Sequence, residues 1–166
     1  YISAQLDKIG VHTIQQTAIS DSAETINEGL TNALQRADIV LITGGLGPTK
    51  DDLTKYTLAQ YFNSKLEINE EALAHITHLM VSRGREMNEL NRLQALQPTK
   101  AKYIKNEVGT APAMWFNAPD GKVVIAMPGV PFEMKHILEH QILPQIKTMF
   151  NTESVIHYYI KTIGIA

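Results

Sequence analysis

The stretch Ala37 to Thr43 (ADIVLIT), which stops at Gly44-Gly45, constrains this chain most. A strand written almost wholly in Ile, Val and Leu has no polar face to offer water, so it reads as a parallel strand covered by helices on both sides. Helical patterns do flank it. Ile26, Leu30 and Leu34 recur at four-residue steps after Ser20-Asp21-Ser22-Ala23-Glu24, where Asp21 and Glu24 have capping-box spacing. Beyond the glycines, Leu53, Tyr56, Thr57, Ala59, Gln60 and Tyr61 predict a helix from about Asp51 or Asp52 to Phe62. Asn69 is placed to cap a second helix over Glu70 to Ser82, with Leu73, Ile76 and Met80 on one face. A third covers Glu89 to Leu96 and ends before Pro98.

Shorter elements fill the rest. Ile2, Leu6 and Ile9 form the apolar face of an opening helix, Gly10 suits its left-handed end, and His12 to Ile19 reads as a short strand. Met114 to Asn117 and Lys122 to Met127 flank Pro119-Asp120-Gly121, whose Asp-Gly pair signals a hairpin. Pro128-Gly129-Val130-Pro131 opens a last long helix with Met134, Ile137, Leu138, Gln141 and Ile142 on its buried side and Pro144 placed to kink it. Ser154 to Ile165 reads as a closing strand, being rich in β-branched and aromatic residues. The expected class is α/β: a three-layer sandwich with a mostly parallel sheet plus a β-hairpin. Two glycine loops, Gly44 to Pro48 and Pro128 to Pro131, should leave the sheet on one edge, where ligands of such sheets bind.

The 166 residues suffice for one core, read as a single domain over 1–166. The chain opens in a helical pattern without a methionine and stops in a strand pattern, so the expectation is a domain truncated at both ends of a longer protein. A net charge of −2 supplies no positive field for nucleic acid or an anionic membrane. Without cysteine there is no disulfide scaffold, thiol nucleophile or thiolate metal site. No apolar run is long enough for a membrane helix and no leader pattern opens the chain, so the expected location is the cytoplasm.

Chemistry concentrates in Thr43-Gly44-Gly45-Leu46-Gly47-Pro48-Thr49-Lys50-Asp51-Asp52-Leu53-Thr54. Glycine amides at a helix start suit a phosphate, yet two adjacent carboxylates would repel a bare one. A divalent cation bridging Asp to phosphate reconciles the two. The same residues also serve a plain strand-to-helix turn whose aspartates cap the helix. Asn106 to Pro112 (NEVGTAP) and Met127 to Met134 (MPGVPFEM) are further glycine turns, either of which could be loop punctuation alone. His136 with His140, and His75 with His78, read as solvated helix faces, not zinc sites. Arg83-Gly84-Arg85 reads as a solvated helix end. Trp115, Phe116, Tyr158 and Tyr159 read as core rather than as stacking partners for a ring.

Taken in order, TGGLGPTKDDLT at 43–54, NRLQALQP at 91–98, NEVGTAPA at 106–113 and MPGVPFEM at 127–134 resemble the amino-terminal domain of the competence/damage-inducible protein CinA. That domain has the molybdopterin-binding fold shared with molybdenum cofactor biosynthesis proteins. Ala113 and Met127 stand where the family usually has Gly and Leu, and the family's Gly-Asp-Glu strand, which precedes a helix like the one at Tyr1, is not in this sequence. The resemblance implies hydrolysis of the pyrophosphate bond of ADP-ribose or a related nucleotide with a divalent cation, Mg, Mn or Co. It implies Asp52 as catalytic acid and metal ligand with Asp51 beside it, and Gly45, Gly47 and Thr49 as phosphate cradle with Lys50 as a lesser electrostatic contributor. Thr43, Gly44, Asn106, Gly109, Thr110, Pro128 and Gly129 would complete the nucleotide site. Glu133 would be a second metal ligand or base, or else a first-turn acid facing the helix dipole. The alternatives are a molybdopterin-binding or nucleotidyl-transferring domain, and a non-catalytic assembly module. Self-association and a following nicotinamide mononucleotide deamidase domain are further expectations of the resemblance.

Overall fold

The computed structural model describes residues 1–49, 51–152 and 163–164. The chain divides into two compact units, one formed by Tyr1–Gln16 with the residues from Leu138 onward, the other by Thr17–Ile137. In the first unit α1 (Ile2–Lys8) buries Leu6, and Gly10 just beyond it takes φ +76° as expected. His12 to Ile19 form no strand. Every residue there is exposed, and a segment with no buried side chain has no face to hold against a sheet.

The second unit carries the sheet. Ser22, rather than Asp21, caps α2 (Ala23–Leu34): its backbone is extended and its Oγ accepts from the Thr25 amide at 3.3 Å. The Ile/Val/Leu run becomes β1 (Ile39–Thr43), followed by α3 (Thr54–Tyr61). Next come β2 (Leu66–Ile68), α4 (Glu70–Ser82), α5 (Glu89–Gln94) and β3 (Leu96–Pro98). The unit ends with β4 (Ala101–Ile104), β5 (Ala113–Asn117), β6 (Val123–Met127) and α6 (Pro131–Ile137). Asn69 caps α4 as predicted, its Oδ1 accepting from the Ala72 amide at 2.9 Å.

The main sheet runs β1-β6-β5-β4. The α/β class holds, but among the described residues the sheet is mixed rather than mostly parallel: β1 and β6 are parallel, while β6 with β5 and β5 with β4 are antiparallel. The predicted hairpin supplies one antiparallel pair and the unpredicted β4 the other. Asp120 and Gly121 both take positive φ, +60° and +73°, the pair of values a type I′ turn requires. On one sheet face Leu30, Leu46 and Leu58 meet Val40, Met114, Phe116, Val124 and Ala126 in a single core. Phe62 stacks on Phe116 there with ring centroids 4.4 Å apart. Val123, Ile125 and Met127, on the opposite face of β6, are equally buried, which is why that strand has no polar position.

The stretch expected to be helices alone holds a second, two-stranded sheet. β2 and β3 pair antiparallel from Leu66 with Pro98 to Ile68 with Leu96. The third helix therefore stops at Gln94, two residues short of the expectation, because the residue before Pro98 favours extended backbone and β2 offers it a partner. Ala72, Ile76, Met80 and Ala95 form a local core beside them. The long helix expected from Pro131 is three elements: α6, a π-helical turn over Leu138–Ile142, and α7 (Leu143–Met149) with Pro144 in its first turn. A wider turn before a proline relieves the clash of its ring with the preceding carbonyls. The strand expected over Ser154 to Ile165 lies outside the described residues, apart from Ile163 and Gly164. No helix among the described residues is long and apolar enough to cross a membrane.

Phe116 is 1% exposed and carries both the core and the ring stack. Phe116→Ala should cost about 3–5 kcal/mol of stability in urea unfolding; a loss below about 1 kcal/mol would show that this face is not the load the fold rests on.

Candidate functional site

β1 and β6 are parallel and end in register at Thr43 and Met127, so the loops that leave them start side by side. The Gly44 amide donates to the Met127 carbonyl at 3.0 Å. A Cβ built on Gly129 would lie 3.1 Å from the Gly44 Cα. The two glycine loops are thus on one sheet edge, as predicted, and in backbone contact. β5 runs antiparallel to β6 and pairs Met114 with Ala126, so residues 106–112 reach the same edge as a third loop.

The first loop folds around one of its own acids. Asp52 Oδ2 accepts from the Thr49 amide at 3.0 Å and from the Thr49 hydroxyl at 2.5 Å. A Cβ on Gly47 would overlap that carboxyl group. Burial by itself raises the Asp52 pKa, but the Thr49 hydroxyl, the Thr49 and Gly47 amides and the Lys55 charge outweigh it, leaving the carboxyl below its ordinary range. Asp52 is therefore a carboxylate at neutral pH and caps its loop. Three donors expected to cradle phosphate, the amides of Gly47 and Thr49 and the Thr49 hydroxyl, are turned to it. Within the described residues no hydrogen bond engages the amides of Gly45, Thr110 or Gly129. Thr43 and Asp51 are exposed, Pro128 is buried, and Lys50 lies outside the described residues.

Lys55 is the residue that motif reading missed. It is 1% exposed, its Nζ donates to the Leu93 carbonyl at 3.1 Å and it lies 5.8 Å from the centre of the Tyr56 ring. Burial pushes its ammonium down to about 8, with the Asp52 charge pulling the other way. That bond ties the residue following TGGLGPTKDDLT to Leu93 of NRLQALQP. A sequence signal existed: Lys55 stands three and four residues before Leu58 and Ala59, on the face those side chains bury.

The third loop is also built on a carboxylate. Asn106 is 1% exposed; its Nδ2 donates to the Ala111 carbonyl at 2.9 Å and to Glu133 Oε2 at 2.7 Å, and its Oδ1 accepts from the Val108 amide at 3.2 Å. A Cβ on Gly109 would overlap the Glu133 carboxyl. Asn106 and Glu133, expected to face a ligand and a metal, hold each other and shape the loop. Residues read as solvated brace it from outside: His75 Nε2 meets the Asn106 carbonyl at 2.7 Å, His136 Nε2 meets Glu107 at 3.0 Å, and Arg83 Nη2 donates to the Val108 carbonyl at 3.4 Å. Their polarity suggested water, but each has a loop partner far away in sequence. Trp115 and Phe116 are core, at 5% and 1% exposure, and Tyr158 and Tyr159 lie outside the described residues.

Among the described residues no group of three or more His, Cys, Asp or Glu could hold a metal ion. The described residues offer no preformed cage; Asp52 supplies one ionised carboxylate. A single ionised carboxylate is compatible with a magnesium-type cation, which keeps several waters and is held through one or two carboxylates.

Fold and loops together define an α/β domain that presents three glycine turns at the carboxyl ends of a parallel strand pair. Residues 1–148 match the family model described as "Probable molybdopterin binding domain". The chain is 48% identical over 165 residues to a CinA-like protein of Cytophaga hutchinsonii, covering 99% of this chain and 39% of that protein. It superposes on the crystal structure of the protein CinA of Thermoplasma acidophilum with a TM-score of 0.64 and 38% identity, covering 75% of this chain and 72% of that one. Molybdenum cofactor biosynthesis protein B shares the fold, with a TM-score of 0.55 at 19% identity over 89% of this chain and 79% of its own. The chain belongs to the molybdopterin-binding domain family and is similar to CinA-like proteins within it. It spans about two fifths of the length of the curated relatives it matches.

The unfolded chain holds the Lys55 proton up to its ordinary 10.5, the folded chain only to about 8. The cost of burying that charge is full below about 8 and is relieved as pH rises toward 10.5, so stability rises across this window. The difference in unfolding free energy between wild type and Lys55→Met should climb from about pH 8 to 10.5. A flat difference would show that Lys55 titrates as an exposed lysine.

Proposed function

We propose that this domain binds the phosphates of a phosphorylated nucleotide or pterin on its three glycine loops, and cleaves the pyrophosphate bond of ADP-ribose or a related nucleotide with a divalent cation. The observation that carries the binding reading is the meeting of Gly44 with Gly129 at the ends of β1 and β6, with the amides of Gly45, Thr110 and Gly129 not engaged within the described residues. Backbone amides without side chains in the way are what a phosphate approaches most closely.

Each residue has a part in that reading. Asp52, already ionised, anchors the cation and keeps the Gly47–Thr49 turn closed around itself. Gly45, Thr110 and Gly129 hold phosphate oxygens. Asn106 and Glu133 fix the third loop at its approach distance, and Lys55 holds α3 to α5 beneath the first. When bound, a divalent cation supplies polarisation of a phosphoryl oxygen and an acidified water. Support for hydrolysis over cofactor biosynthesis is the fuller Thr-Gly-Gly-Leu-Gly-Pro-Thr-x-Asp-Asp loop and the similarity to CinA-like proteins. The second reading, a pterin-binding or nucleotidyl-transferring domain, is favoured by the fold shared with molybdenum cofactor biosynthesis protein B.

The two readings separate in one assay. ADP-ribose, FAD and NAD are offered with Mg²⁺, Mn²⁺ or Co²⁺, in parallel with pterin binding. Turnover of ADP-ribose supports the first reading; binding of pterin without turnover of any nucleotide replaces it with the second. Asp52→Asn keeps an acceptor for Thr49 and removes the charge. It should fold and lose turnover by about 100-fold or more, the scale seen when a preorganised electrostatic group is removed. Unchanged turnover in Asp52→Asn removes Asp52 from the reaction.

A further inference from the structure

The segment from Gly129 to Glu133 joins two of the three loops. Gly129 lies against Gly44 of the first, and the Glu133 carboxyl lies against Gly109 of the third. Between these contacts stand two side chains that the core does not take up: Phe132 is 60% exposed and Val130 is 43% exposed. The aromatic pairs among the described residues are Tyr61 with Phe62 and Phe62 with Phe116, so no ring of the chain there covers Phe132. Trp115 and Phe116, the other aromatics of this half of the sheet, are buried and present no face to a ligand.

Backbone amides and a cation read charge alone and cannot tell a nucleotide from inorganic pyrophosphate. Recognition of the rest of the ligand needs an apolar face beside the phosphates. We propose that Phe132, flanked by Val130, is that face: a platform on which the flat heteroaromatic ring of a phosphorylated ligand stacks while its phosphates lie on the glycine loops. This rests on the phosphate-binding reading above and adds the ring subsite to it. Stacking on a phenyl face tolerates many ring types, so a purine base and a pterin share the chemistry. The exposure of Phe132 also keeps it out of the folding core, so its removal leaves the fold in place.

Calorimetric titration of wild type, Phe132→Ala and Phe132→Trp with AMP, a pterin monophosphate and inorganic pyrophosphate tests this. Phe132→Ala should weaken at least one ring-bearing ligand by about 5- to 100-fold, the scale of stacking on one aromatic side chain. Pyrophosphate affinity should stay unchanged, and Phe132→Trp should restore the ring-bearing ligand. Which ligand is weakened identifies the ring the site takes. Equal loss for pyrophosphate, or no loss for either ring-bearing ligand, overturns the proposal and leaves the phosphate site standing. A shift in sedimentation of Phe132→Ala with unchanged ring affinity overturns it in favour of contact with a second copy of the chain. Failure of wild type to bind pyrophosphate or either ring-bearing ligand overturns the phosphate-binding reading and the subsite with it.

Discussion

Everything at the candidate site depends on one pairing, the parallel register of β1 with β6. Parallel strands point the same way, so whatever follows each of them emerges at the same edge. Here the register aligns Thr43 with Met127, so the two glycine turns begin level with each other. Had the pair been antiparallel, one turn would have left at the opposite end of the sheet. The hairpin that carries β5 then brings the third loop back to the same place, because an antiparallel strand next to β6 must start where β6 stops. A mixed sheet thus gathers three loops where a purely parallel one would have needed longer crossovers.

A second theme is that two of these loops close on internal carboxylates. Asp52 takes the donors of the Gly47–Thr49 turn, and Glu133 takes the Asn106 amide beside Gly109. An acid held this way does two jobs. It satisfies amides that a sharp turn would otherwise strand, and it places a negative charge beside the glycine loops. On the proposed phosphate reading, a bare phosphate would be repelled there and a bound cation would offset the charges. The near-neutral chain supplies no wide positive field, so on that reading attraction would come from the loops themselves.

Much of this was legible in the residues. The Ile/Val/Leu run, the Asn69 cap, the Asp120-Gly121 turn and the shared edge of the two glycine loops follow from local rules, and local rules decided them. What stayed hidden depended on partners distant in sequence. β2 and β3 are strands of three residues, too short to show alternation, and exist because each pairs the other. His12 to Ile19 has strand composition but pairs with no strand among the described residues. Ser22 caps α2 in place of Asp21 because backbone angles, not spacing, choose the cap. At the site, the polar side chains of His75, Arg83 and His136 read as solvated while they reach across to the 106–111 loop. Lys55 was passed over because lysine is rarely found inside a protein, though its helical position marked it as buried.

The overlap of a would-be Cβ at Gly47 with the Asp52 carboxyl has a consequence for how this loop can change over time. The two positions share one small volume, and only one of them can fill it. A side chain arriving at 47 first must evict the carboxylate and break the bonds from Thr49 in the same step. If position 52 shrinks first, room opens and 47 becomes permissive. The route is therefore directional: a path through sequence space that is closed in one order is open in the other. A domain that has discarded its acid can drift at this glycine, while one that keeps the acid is held to it, so the residue found at position 47 carries a trace of whether the charge at 52 is still in use.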